Sequence, residues 1–121
     1  MSEYNAPLDD MKFAMKELAA MAEVAALPGY EEASEELVDA ILDESARFHS
    51  GVFAPLNRIG DQQGATIRDG QGYATPGFED AYRQYAEAGW NGLEMTTEYE
   101  GQGLPHLLAV AVVEMTQTAN L

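Results

Sequence analysis

Cysteine is absent from the 121 residues. That excludes disulfides, thiolate nucleophiles and cysteine-based zinc sites, and it fits a reducing compartment. Basic residues are scarce: 6 Lys and Arg stand against 21 Asp and Glu, a formal net charge of -15. A chain of this sign repels nucleic-acid phosphates and anionic membrane surfaces, so neither is expected as a partner. Long apolar runs are also missing. The most apolar stretch, residues 107–113, is far too short to span a bilayer, and the first ten residues carry acids without the basic region of a signal peptide. A cytoplasmic protein is expected. The two histidines, His49 and His106, have no second histidine at helical spacing, and H-E-x-x-H does not occur. No metal site is expected.

What is present is a globular composition, 46% hydrophobic, in a length that suits one domain. The pattern predicts an all-α fold of about four main helices packed as a bundle, with a Gly-rich irregular loop. The first helix is expected over residues 8–26, started by Pro7 and the acids Asp9 and Asp10, with Met11, Met15, Leu18, Ala22 and Ala25 on its inner stripe. Pro28 and Gly29 stop it. The second is expected over residues 34–56, with Ser34 as N-cap and Leu37, Val38, Ile41, Leu42, Phe48, Val52 and Phe53 facing inward. Pro55 should bend or fray its last turn.

Residues 57–75 read as irregular, because Gly60, Gly64, Gly70 and Gly72 break a helix and only Thr66, Ile67 and Tyr73 suggest a short extended pairing. A third helix is expected over residues 76–88, capped by Thr75 with Pro76 in its first turn, burying Phe78, Tyr82, Tyr85 and Ala86 and ended by Gly89. Trp90 and Leu93 follow as core anchors. The last helix, from Pro105 onward, is apolar on most of its circumference through Leu107, Leu108, Val110, Ala111, Val112, Val113 and Met115, so it should be buried on several sides. A domain of this size has little material to cover it. The last turn also lacks glycine, basic residues and a cap, which predicts that the natural protein continues.

Few residues carry chemistry. His49, beside the inner face of the second helix, is expected to be a hydrogen-bonded structural histidine, and His106 an exposed or capping residue. The acid-containing stretch 61–70 lacks the ligand spacing and terminal Glu of a calcium loop. Gly101-Gln102-Gly103 lacks the Lys-Ser/Thr of a P-loop and the third glycine of a dinucleotide fingerprint; it reads as a tight turn before a helix. Glu94, Glu98 and Glu100 read as surface acids. Glu114, the single charge within an apolar run, should pair with a base or reach the helix surface, at a domain boundary.

The order of motifs in the last third is Ala88-Gly89-Trp90-Asn91-Gly92-Leu93, then Thr97-Glu98-Tyr99-Glu100-Gly101-Gln102-Gly103-Leu104-Pro105, then an apolar helix holding Glu114. This order resembles the N-terminal domain of acyl-CoA dehydrogenases. Upstream, Tyr4-Asn5-Ala6-Pro7-Leu8-Asp9-Asp10-Met11-Lys12-Phe13 looks like the extra N-terminal helix, at about residues 4–27, of one bacterial subgroup, the 3-methylmercaptopropionyl-CoA dehydrogenases. Phe53-Ala54-Pro55-Leu56-Asn57 and Gly60-Asp61-Gln62-Gln63-Gly64 fit the same subgroup. The resemblance covers essentially the whole chain, with one departure: Glu100 stands where the family usually has glycine, which costs stability if that position needs a positive φ.

The resemblance implies an FAD-dependent oxidation of an acyl-CoA to a 2-enoyl-CoA by a larger protein. In that family a glutamate base takes the α-proton while the flavin takes the β-hydride. It implies acyl-CoA and an electron-transferring flavoprotein as partners, a homo-oligomer, and β and C-terminal domains outside residues 1–121 that hold flavin and base. No catalytic, cofactor-binding or metal residue is then expected in this chain. Gly101, Gln102, Gly103, Leu104 and Thr118 are the positions expected nearest substrate, and the piece alone should be inactive, walling the acyl pocket and supporting assembly. The competing expectation is a free-standing acidic helical module that binds a partner through an apolar groove.

Overall fold

The computed structural model describes residues 3–121. Its regular structure is helical apart from one small hairpin, so the all-α class stands. Among the described residues the helices are α1 (Leu8–Phe13), α2 (Met21–Ala25), α3 (Glu35–Phe48), α4 (Ala54–Gln63), α5 (Phe78–Glu87) and α6 (His106–Ala119). π turns at Ala14–Leu18 and His49–Phe53 join α1 to α2 and α3 to α4. Treated as continuous rods, these make the expected four.

The first rod is not a straight helix. After the π turn, Ala20 adopts a left-handed conformation (φ 52°) and breaks the rod before α2. The inner stripe therefore shifts. Met11 and Met15 are buried as expected, but Leu18 is 75% exposed, Ala22 is exposed, and Met21 is buried instead. A wider turn followed by a left-handed residue changes the angular phase that a 3.6-residue period assumes. Lys12 reaches Asp43 on α3 (2.8 Å), and Lys16 reaches Glu35 (2.8 Å) and Asp39 (3.1 Å), so cations of the outer rod cross to acids of the next.

Ser34 caps α3 as expected, its hydroxyl accepting from the Leu37 amide at 3.2 Å. The second rod, however, does not stop near Leu56 but runs to Gln63. The π turn lies immediately before Pro55, where the Ala54 amide bonds five residues back to His49. Pro55 then enters in the first turn of α4, where a missing N–H costs little. Gly60 lies inside α4 rather than breaking it. Its role is space: a Cβ there would stand 2.7 Å from the Phe78 ring.

Beyond α4, Thr66–Arg68 pairs antiparallel with Gln71–Tyr73, in the register Thr66 to Tyr73 and Arg68 to Gln71. Asp69 and Gly70 both have positive φ, the geometry of a tight two-residue hairpin turn. α5 begins at Phe78, two residues later than expected, after Gly77. Thr75 does not cap it; the Thr75 hydroxyl donates to the Gly64 carbonyl (2.9 Å) and ties the hairpin base to the end of α4. Ala81, half-buried Tyr85 and Ala86 form the inner side of α5, while Tyr82, expected to be buried, is 63% exposed. Gly89 (φ 82°) ends α5 as expected, and Trp90 and Leu93 enter the core.

The core gathers where α6 crosses α3 and the second π turn. Leu42, Leu108, Met115, Val38 and Val112 are essentially sealed. Burying a Leu or Val side chain stabilises a fold by about 1.5–3 kcal/mol, so this seam dominates cohesion. α6 is buried on several sides, yet Val110 and Val113 remain 47% exposed. No helix among the described residues is long and apolar enough to cross a membrane.

Candidate functional site

Two places concentrate polar atoms in defined geometry. The first is the turn before α6. The amides of Gln102, Gly103 and Leu104 donate to the carbonyls of Gly92 (2.9 Å), Met95 (2.8 Å) and Leu93 (2.9 Å), lacing residues 101–104 against residues 92–95. The Gln102 side chain donates to the Gly89 carbonyl at the end of α5 (3.1 Å). Gly101 lies so close to Met95 that any Cβ would overlap the Met95 carbonyl oxygen. Glu100, just before it, holds φ 64°, the positive-φ geometry in which a glutamate is costly.

This lacing decides what the turn can bind. A phosphate loop presents free backbone N–H groups to an anion. Here the amides of Gly101, Gln102 and Gly103 are all donated to carbonyls within the turn, to Thr96, Gly92 and Met95. Glu98 and Glu100 flank it. The turn therefore does not fit a flavin pyrophosphate. A cleft of about 390 Å³ adjoins it, lined by Tyr30, Glu31, Thr96, Thr97, Gln102 and Leu104. The Glu31 carboxyl is held below its ordinary pKa by the Gly29 amide.

The second place is the far end of α6. His49, fully buried at the start of the second π turn, bonds through Nδ1 to the Ser45 carbonyl (2.8 Å) and through Nε2 to the Thr116 hydroxyl of α6 (2.8 Å). A carbonyl only accepts, so Nδ1 carries a proton; the one Thr116 hydroxyl proton stands within reach of both Nε2 and the Val112 carbonyl (3.0 Å). Phe48, Phe53, Tyr85 and Trp90 surround the imidazole, with ring centroids 5.2–6.4 Å away. Burial lowers the His49 pKa, opposed by the Ser45 bond, so the ring is neutral at physiological pH. It is a structural histidine, as expected, and it locks α6 to the π turn.

Beside it, Phe78 separates two small clefts. One, about 240 Å³, is lined by Asn57, Gly60, Thr75, Phe78 and Asn120; the other, about 180 Å³, by Phe53, Leu56, Phe78, Tyr82 and Thr116. Asn120 closes this end by donating to the Phe53 carbonyl (2.9 Å). Asp61 of the first cleft is the single charged side chain in these linings. The clefts went unread in the sequence because Pro55 marked a helix end that the π turn removes.

The expected substrate-proximal residues do not form one site. Gly101, Gln102, Gly103 and Leu104 stand together before α6. Thr118 lies at its other end, about 20 Å along the axis, where it donates to the Tyr4 hydroxyl (2.9 Å). His106 is exposed and pairs with Glu94. Glu114 reaches the helix surface. Asp61 and Asp69 are separated by the end of α4 and the hairpin turn, and no group of three or more metal-binding side chains occurs among the described residues.

The chain is 35% identical over 118 residues, 98% of its length, to 3-methylmercaptopropionyl-CoA dehydrogenase of Ruegeria pomeroyi. It spans 20% of the length of that curated relative. No model of a known protein family matches the chain.

Proposed function

We propose that this chain is the N-terminal helical domain of an FAD-dependent acyl-CoA dehydrogenase, and that its part is to wall the acyl pocket and support assembly. The single observation that carries the reading is the 35% identity across nearly every position of the chain to an acyl-CoA dehydrogenase. Three features of the chain support it. The laced turn ends in a rigid platform rather than an anion nest. The clefts at the end of α6 are walled mostly by apolar and amide groups, with Asp61 their single charged side chain. The helix α6 keeps Val110 and Val113 uncovered, as a helix does when further protein packs on it.

Under this reading the flavin, which supplies hydride acceptance, and the glutamate base belong to β and C-terminal domains outside these residues. The parent protein takes an acyl-CoA, passes electrons to an electron-transferring flavoprotein, assembles as a homo-oligomer and works in a bacterial cytoplasm. Gly101, Gln102, Gly103 and Leu104 at one end of α6, and Thr118 at the other, flank the acyl group.

The test compares two purified proteins. The 121-residue chain mixed with FAD and an acyl-CoA gives no bound-flavin absorbance and no turnover, whereas the longer polypeptide containing it gives both. A yellow holoprotein from the chain alone overturns the domain reading. In the longer protein, Gln102→Ala and Thr118→Val raise KM for the acyl-CoA more than they lower kcat; unchanged KM in both removes the wall assignment and leaves the family reading intact.

A further inference from the structure

We propose that the N-terminal rod, residues 8–25, has two registers: the bent one described above, and a straight helix in which Leu18 replaces Met21 in the core. The sequence and the structure disagree here in a specific way. In an uninterrupted helix, at about 100° per residue, Met11, Met15, Leu18, Ala22 and Ala25 lie within about 40° of one direction, and Met21 lies about 80° away from it. In the structure Met11 and Met15 keep that face, but Met21 is buried and Leu18 stands 75% exposed.

Nothing local in the sequence demands the break. Residues 8–27 contain neither glycine nor proline, and Ala19, Ala20, Ala22, Ala25 and Ala26 are strong helix formers. Ala20 nevertheless takes a left-handed conformation that an alanine adopts at a cost glycine would not carry. The π turn over Ala14–Leu18 adds a second departure from the geometry these residues prefer. Both irregularities are held by tertiary contact, chiefly Met21 in the core and Lys16 on Glu35 and Asp39.

Room for the alternative is already present. A cleft of about 440 Å³ lies between this rod and the start of α3, lined by Met21, Ala22, Ala25, Ala33 and Val38. Removing the π turn and returning Ala20 to helical φ rotates Leu18 toward the core and turns Met21 outward, while Met11 and Met15 stay in place. Straightening therefore hides one apolar side chain and uncovers another on the outer layer. It changes the surface which that layer offers, without unfolding α3 or α6.

The cysteine-free sequence allows a direct test by thiol labelling of single-cysteine variants of the chain. Met15→Cys is buried in both registers and reacts only through global unfolding. Met21→Cys is buried only in the bent register, so it should react faster than Met15→Cys. Ala20→Gly, which favours a positive φ, should lower the ratio of Met21→Cys to Met15→Cys rates by about five-fold, and Ala20→Val should raise it by a similar factor and slow Leu18→Cys. Far-UV circular dichroism checks that Ala20→Val is folded; if it is not, the Ala20→Gly arm decides alone. Equal Met21→Cys and Met15→Cys rates in the parent and Ala20→Gly backgrounds overturn the proposal.

Discussion

Residues 14–18 and 49–53 both form five-residue π turns, and their surroundings are opposite. The first sits in the outer rod, tied down by methionines and part-exposed lysine–carboxylate pairs, and leads straight into a left-handed alanine. The second sits in the centre of the molecule. His49 there bonds to Ser45 and Thr116 and is ringed by four aromatic side chains, and the helix resumes at Ala54 without a break. The same backbone irregularity thus closes a buried hydrogen-bond network in one place and adjusts the phase of an outer layer in the other, which predicts that the second π turn is the more firmly fixed.

The comparison breaks first at His49. His49→Ala removes a packed ring and two hydrogen bonds and should cost about 3 kcal/mol in urea unfolding. If the loss is under about 1 kcal/mol, the second π turn is no better fixed than the first. The pH dependence has a definite sign. The folded His49 pKa lies below the ordinary value of 6.5, so the unfolded chain takes up the proton first. This contribution is full above pH 6.5 and declines as pH falls from there through the folded pKa. A urea midpoint measured between pH 7 and 5 should fall more steeply in the parent than in His49→Gln.

Smaller effects probe the outer rod. Met15→Ala should cost about 2 kcal/mol, since Met15 is buried against the core. Glu100→Gly should gain about 0.5–1 kcal/mol by relieving the positive φ, seen as a raised Tm. Lys16→Ala should lower Tm only slightly, and half-molar salt should erase the difference, because its partner Glu35 is largely exposed to solvent. Leu18→Ala should change stability by less than about 0.5 kcal/mol; a loss near that of Met15→Ala would place Leu18 in the core of the dominant register.

Much of this was legible in advance. The Ser34 cap, the Gly89 stop, the Trp90 and Leu93 anchors and the structural His49 follow from local chemistry: a hydroxyl accepting a free amide, a residue free to take positive φ, large side chains that seek burial. The hairpin was legible in outline through Thr66, Ile67 and Tyr73, while the turn signal of Asp69-Gly70 went unread. The site was legible as a tight turn at Gly101–Gly103, but not as a turn whose amides are all spent internally, because that depends on carbonyls at residues 92–96 folding back onto it.

By itself, then, the sequence determined the helical class, the number of rods and the stops at Pro28-Gly29 and Gly89, because these rest on interactions between residues a few positions apart. Only the tertiary structure decided how Pro55 and Gly60 are accommodated inside one long helix, that Met21 rather than Leu18 faces the core, and that Gly101 and Thr118 stand at opposite ends of α6. Each of those outcomes depends on what packs from a distant part of the chain: the π turn is stabilised by the His49–Thr116 bond, and Gly60 makes space for Phe78. A pattern read along the chain assumes a fixed helical period, and the two π turns change it where packing outweighs local preference.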